Sequence, residues 1–167
     1  MNPPRYLIDT FGCQMNVHDS ERMAGLLDQA GYEPTTEDID ADVIVINTCS
    51  VREHAEEKLY TRLGELRVLQ QETGRNPIVA VTGCVAQQEG ESLLGNTNGK
   101  VIDVIVGTQR LKMLPLLVEG VARSPFPVVD INPWDDVSFP LGTVRRTDPV
   151  RAYITIIDGC NDHVVAA

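Results

Sequence analysis

The sequence predicts an α/β domain built on a mainly parallel sheet. Three observations carry that expectation: β-branched runs alternate with segments of helical periodicity, a strand–cysteine–helix unit occurs three times, and the strands read as nearly unbroken apolar runs of the kind buried on both faces.

Tyr6–Thr10 (YLIDT) reads as the first strand, followed by a Gly12-Cys13 turn. Asn16 is placed to cap a helix in which Met23, Leu26, Leu27 and Ala30 recur at helical spacing before Gly31 ends it. Val43–Asn47 (VIVIN) is the second strand, with Thr48-Cys49 directly after it. Ser50 and Glu53 fit a capping box, and Ala55, Leu59, Leu63 and Leu66 form the apolar stripe of the next helix. Ile78–Val81 (IVAV) repeats the pattern, with Gly83-Cys84 as the turn and a shorter helix over Gln87–Leu94.

A fourth unit lacks the cysteine. It has a Gly/Asn loop, a strand at Val101–Val106 and a helix from Gln109 to Glu119 that Pro115 is expected to kink. From Ser124 to Pro149 the prolines at 125, 127, 133, 140 and 149 interrupt every run, which suits an extended linker or wrapping arm. Arg151–Ile157 then reads as a fresh, orphan strand. The expected organisation is a domain over 1–122, an irregular Pro-rich linker over 123–150 and the start of a second unit over 151–167.

Composition narrows the function classes. With 167 residues and 43% hydrophobic content the chain can bury one substantial core. No apolar run approaches the roughly 18 residues of a membrane span, and the opening MNPPRYLID lacks a secretory pattern, so a cytoplasmic protein is expected; a monomer is expected as well. A net charge of −10, with no basic cluster denser than Arg145-Arg146, makes the chain alone a poor binder of RNA.

Four cysteines in a cytoplasmic chain argue for metal or redox use rather than disulfides. Cys13, Cys49 and Cys84 each follow the carboxyl end of a strand, the edge at which parallel sheets bind ligands, so the topology predicts that they converge although they are far apart in sequence. A single cysteine in an apolar run is ordinarily a small buried hydrophobe, but three at equivalent positions favour a common site. Three thiolates suit zinc with one open position, or an iron–sulfur cluster with one iron left open; spacing does not choose between them.

Other residues read more plainly. His18, His54 and His163 share no ligand spacing and are expected to be solvated, as is the acidic run Glu37–Asp40. Trp134 with Asp135-Asp136 is either a docking anchor or a cover for the domain's own apolar surface. Asn16 and Asn47 flank cysteines and are candidates to orient a bound group, with satisfaction of loop backbone the simpler account for Asn47. The sequence has no Cys-x-x-Cys, Gly-x-Gly-x-x-Gly or Walker loop, which weakens a thiol-redox module and a nucleotide-binding scaffold as alternatives.

The motifs TFGCQMNVHDSERM, INTCSVREHAEEKLY and VTGCVAQQEGE, around Cys13, Cys49 and Cys84, closely resemble the amino-terminal domain of the methylthiotransferases, radical-SAM enzymes that install a methylthio group. GCQMN and NTCSVRE resemble the MiaB-type branch, which modifies N6-isopentenyladenosine beside the tRNA anticodon. The RimO-type branch, which modifies a ribosomal-protein aspartate and typically carries Pro-Lys after the first cysteine, is the alternative. The resemblance implies a flavodoxin-like three-layer domain in which Cys13, Cys49 and Cys84 ligate an auxiliary [4Fe–4S] cluster. It also implies a downstream radical-SAM barrel with a second [4Fe–4S] cluster, S-adenosyl-L-methionine, a sulfur donor, an electron donor, and tRNA held by further domains. On this resemblance AYITIIDGCN looks like the first barrel strand, with Cys160 as first ligand of the second cluster. The next two ligands would fall where Val164 and Ala167 stand, so the chain is expected to be catalytically incomplete by itself.

Overall fold

The computed structural model describes residues 2–50, 53–96, 101–133, 144–146 and 148–153. Its elements are β1 (Arg5–Phe11), α1 (Gln14–Gln29), β2 (Glu33–Pro34), a 3-10 turn at Asp38–Asp40, β3 (Val43–Thr48), α2 (Glu53–Thr73), β4 (Ile78–Gly83), α3 (Cys84–Glu89), α4 (Ser92–Asn96), β5 (Val104–Val106), a 3-10 turn at Thr108–Met113, α5 (Leu114–Ala122) and β6 (Val128–Asp130).

All strand pairs are parallel, in the order β2-β1-β3-β4-β5-β6. The strands alternate their side chains between two helical layers. Leu7, Ile44, Ile46, Val79, Val81 and Ile105 meet Leu59, Leu63 and Leu66 of α2, Val85 of α3 and Leu93 of α4. On the other face Tyr6, Val43, Val45, Ala80, Val104 and Val106 meet Met23 and Leu27 of α1 and Leu114 and Val118 of α5. The result is the expected flavodoxin-like three-layer α/β architecture. Each fully buried aliphatic side chain contributes roughly 1.5–3 kcal/mol, so β3 and β4, apolar on both faces, dominate its stability.

Local chemistry changes several boundaries. Helix α1 begins at Gln14 with Cys13 as its N-cap, so Asn16 is the third helical residue rather than the cap. The helix predicted over Gln87–Leu94 is two short ones, broken at Gly90, whose φ of +50° places it in the left-handed region. Pro115 kinks nothing: it lies in the first turn of α5, where its missing N–H would have had no partner, and a 3-10 turn precedes it. The Val101–Val106 strand contracts to Val104–Val106.

Part of the stretch read as linker joins the sheet. Val128–Asp130 pairs with β5 as an edge strand, Val128 N–H donating to the Asp103 carbonyl and Gly107 N–H to that of Asp130. The prolines at 125, 127 and 133 flank this strand without interrupting it. Of the later stretch, Arg145 lies against α1, its N–H donating to the Glu21 carbonyl and its guanidinium to both Asp28 oxygens at 2.9 Å.

The acidic run is largely exposed, as expected, but it is ordered by a turn and by ion pairs. Asp38 and Asp40 form the 3-10 turn and pair with Arg62 and Arg5. His18 is buried on α1, at 8% exposure, whereas His54 is exposed beside Glu57. The Ser50–Glu53 capping box, Trp134, Asp135, Asp136, His163, Cys160, Val164 and Ala167 all fall outside the described residues or involve side chains that do. Residues 151–153 carry no regular element, and the remainder of the predicted orphan strand also lies outside them.

Candidate functional site

The site begins with strand register. Phe11 on β1 is the partner of Thr48 on β3, and Thr48 is the partner of Gly83 on β4. Cys49 and Cys84 are the next residues after that row and Cys13 follows it by two, so the three thiols stand at the carboxyl ends of three neighbouring strands. Because the chain runs from β1 outward to β2 and back past β1 to β3, Cys13 and Cys49 flank the topological switch point of the sheet, where such folds bind ligands. The Cys49 N–H donates to the Phe11 carbonyl at 3.0 Å, which closes the two loops on each other.

Cys49 is buried, at 2% exposure, and Cys13 and Cys84 are half-buried. All three are thiols rather than disulfide sulfurs. Among the described residues no three His, Cys, Asp or Glu side chains are gathered in ligating geometry, so the thiols form a rim set by backbone register and not a closed cage.

Two glycines keep that rim compact. A Cβ on Gly12 would stand 2.8 Å from the Cys49 Cβ and collide with the Asn16 side chain. Gly83 has a φ of +96°, and a Cβ there would fall on the Thr48 carbonyl oxygen. Both positions therefore demand glycine, because neighbouring atoms already fill the space a side chain would take, and the three cysteine loops can close on one another.

A buried polar layer lies directly beneath. Thr10, Asn47 and Thr82 occupy one cross-strand row on the α1 face. Asn47 donates to the Asn16 carbonyl at 2.8 Å and to Ser20 Oγ at 3.0 Å, and accepts from Asn16 Nδ2 at 3.1 Å. Ser20 Oγ lies 2.7 Å from Thr10 Oγ1. Asn16 Oδ1 in turn accepts from the Cys13 N–H at 3.2 Å and from Cys13 Sγ at 3.5 Å. Asn47 thus serves α1 and not loop backbone. The sequence signal for this layer was a polar residue two or three positions ahead of each cysteine, at the end of an otherwise apolar strand.

A separate cleft of about 800 Å³ opens between β1, α2 and the Asp38–Asp40 turn, bordered by Phe11, Asp9, Lys58 and Arg62. It contains no cysteine. Arg62 is held there by Asp38, Asp9 and Glu65, and the Asp38 hydrogen bond is the largest influence raising its pKa above the usual guanidinium range. Arg62 thus clamps β1, α2 and the Asp38–Asp40 turn together along one wall of this cleft. No helix among the described residues is long and apolar enough to cross a membrane.

Parallel order, switch point and strand-end thiols together define a flavodoxin-like domain that presents three thiols on one edge. A family model described as "Uncharacterized protein family UPF0004" matches residues 5–107, and the chain belongs to that family. It is 42% identical over 159 residues to the tRNA-2-methylthio-N(6)-dimethylallyladenosine synthase of Carboxydothermus hydrogenoformans, a match covering 94% of this chain and 36% of the relative. The enzyme of the same name from Zymomonas mobilis is 40% identical over 96% of this chain and 35% of its own length. That of Paenarthrobacter aurescens is 42% identical over 96% and 30%. The resemblance to the amino-terminal part of tRNA methylthiotransferases therefore holds across nearly the whole chain, which spans about a third of the length of these relatives.

Proposed function

We propose that this chain is the cluster-holding amino-terminal portion of a tRNA methylthiotransferase that converts N6-isopentenyladenosine next to the anticodon to its 2-methylthio derivative. The single observation that carries the reading is the placement of Cys13, Cys49 and Cys84 after three neighbouring parallel strands, in a chain whose relatives are named for that reaction. A soft, all-thiol donor set beside two obligatory glycines fits an auxiliary [4Fe–4S] cluster with one iron left open. Such a cluster, when bound, would supply the sulfur that is transferred.

The chain's own residues do the holding. Cys49, buried between the other two loops, fixes the inner side of the site, while the half-buried Cys13 and Cys84 leave its outer side accessible. With a net charge of −10 the chain is not itself the grip on tRNA, which is assigned to other parts of the working enzyme together with S-adenosyl-L-methionine, a sulfur donor and an electron donor. Residues 1–122 with β6 would form the cluster unit, the remainder of 123–150 an arm, and 151–167 the beginning of the radical-SAM unit, in which Cys160 lacks the two partner cysteines of the family motif. The cytoplasm is the compartment proposed, since it keeps such thiols reduced.

Anaerobic reconstitution with iron and sulfide tests the reading. About four irons and four sulfides per chain are expected, the stoichiometry of one such cluster. Cys13→Ala, Cys49→Ala or Cys84→Ala should each lose it, and Cys160→Ala should not. Stoichiometric zinc without labile sulfide would overturn the proposal in favour of a zinc or thiol-redox module.

A further inference from the structure

We propose that Asn47 is a positioning residue that locks all three cysteine-bearing loops into one arrangement, with Asn16 as its relay to Cys13; the inference rests on reading Cys13, Cys49 and Cys84 as one ligand set. Asn47 is fully buried at the end of β3, the strand between β1 and β4. A primary amide there is costly unless its polar atoms are bonded, and an aliphatic residue would continue the apolar pattern of VIVI at no such cost. An amide at this depth therefore calls for a geometric role.

The geometry supplies one. Both Asn47 donor contacts are on α1, to the Asn16 carbonyl and Ser20 Oγ, so the end of β3 is tied to the first turn of the helix that Cys13 caps. Its Oδ1 accepts from Asn16 Nδ2, leaving Asn16 Oδ1 to hold the Cys13 N–H and to lie within reach of its sulfur. On the opposite side the same Oδ1 lies 2.8 Å from where a Gly83 Cβ would stand, so Asn47 packs against the residue immediately before Cys84. Cys49 follows Asn47 by two residues on the same backbone. One amide therefore touches the loop of Cys84, governs that of Cys13 through Asn16, and belongs to that of Cys49. Ser20, bonded to Asn47 and adjacent to Thr10 Oγ1, fixes the rotamer.

Two substitutions isolate the effect. Asn47→Leu keeps approximate volume and removes the whole network. Asn16→Asp keeps an acceptor for the Cys13 N–H, and with it the helix cap, but loses the donor to Asn47. The full-length chain, stripped of metal, is treated with iodoacetamide and each cysteine is followed by mass spectrometry; a second sample is titrated anaerobically with Co(II), whose thiolate charge-transfer band reports how many sulfurs bind. Cys13 should alkylate several-fold faster in both variants, and Cys84 faster in Asn47→Leu. Cobalt affinity should fall by about 10–100-fold, the usual effect of losing a partner that orients metal ligands, with a weaker charge-transfer band and an unchanged far-ultraviolet circular dichroism spectrum. Asn16→Asp indistinguishable from wild type in both assays would overturn the inference, and it decides the matter alone if Asn47→Leu fails to fold. A wild-type chain without a three-thiolate cobalt band would instead overturn the ligand-set reading, and the alkylation rates would then judge the positioning role separately.

Discussion

Arg62, in the middle of α2, donates its Nε hydrogen to Asp9 Oδ2 on β1 at 2.7 Å, while its terminal nitrogens grip both oxygens of Asp38. One guanidinium thereby joins a helix, a strand and the 3-10 turn that leads into β3. Its side chain is only 13% exposed, and the bidentate fit to Asp38 keeps it charged throughout the accessible pH range. Arg62→Leu would leave Asp9 and Asp38 facing each other without a cation. We expect a loss of about 2–3 kcal/mol in urea unfolding, below the value for a fully buried pair because both carboxylates keep some solvent. Arg62→Lys should recover only part of it, since a point charge cannot span two carboxylates that a planar fork can. Equal stability of the lysine variant and wild type would show that charge alone matters here.

Tyr6 gives the fold an alkaline limit. Burial, and then its 2.9 Å hydrogen bond to Asp28, push the phenol up to about 12 from an ordinary value of 10.0. A folded chain that holds this proton longer than the unfolded chain is favoured below pH 10 and loses that advantage as pH rises towards 12. Wild-type thermal stability should thus fall between pH 10 and 12, and Tyr6→Phe should flatten Tyr6's share of that fall while losing one hydrogen bond at neutral pH. Parallel melting curves for wild type and the phenylalanine variant across this window would refute the assignment.

Gly83 and Gly74 separate backbone strain from steric conflict. Both have positive φ, +96° and +69°, but a Cβ on Gly74 meets nothing within 4 Å, whereas one on Gly83 runs into the Thr48 carbonyl and approaches Asn47 Oδ1. Gly74→Ala should cost roughly 1–2 kcal/mol, the left-handed penalty alone. Gly83→Ala should add roughly 1–3 kcal/mol for the displaced strand end, and should also shift the reactivity of Cys84. Comparable unfolding midpoints for the two variants would contradict the close packing of β3 and β4 at this point.

Most of the scaffold was legible because its strands are written redundantly. VIVIN and IVAV admit no amphipathic helix reading, and each is followed by a glycine or polar residue that ends it. The edge strands were not legible, since Glu33–Pro34 and Val128–Asp130 are too short to show a period and sit among prolines. For the site, the placement of the cysteines after neighbouring strands followed from topology, but the relay through Asn16 and Asn47 did not. A hydrogen bond between side chains 31 residues apart leaves no local pattern, and the asparagine that looked like a cap proved to be its partner in a capping box. Burial of His18 was likewise invisible, because it depends on which side of α1 faces the sheet.

On the proposal that Cys13, Cys49 and Cys84 hold a metal cluster, its removal should loosen the rim and spare the sheet. The contacts that hold β1, β3, β4 and β5 together come from side chains such as Val45, Ile46, Val79, Val81 and Ile105, all at 0% exposure and none dependent on a thiol. Cys49 alone of the three cysteines is core, and truncating it to alanine removes one small apolar group, worth about 1 kcal/mol. A chain with Cys13, Cys49 and Cys84 all changed to alanine should therefore keep its α/β circular dichroism spectrum and unfold cooperatively, a few degrees below wild type. Hydrogen exchange should quicken at residues 12–16 and 83–86 while the interiors of β3 and β4 remain protected. The contrasting case is a domain in which metal binding is folding itself, as in small zinc modules. Global unfolding of the metal-free or triple-alanine chain would place this protein in that class and would make the cysteines structural staples, not a site carried by an independent scaffold.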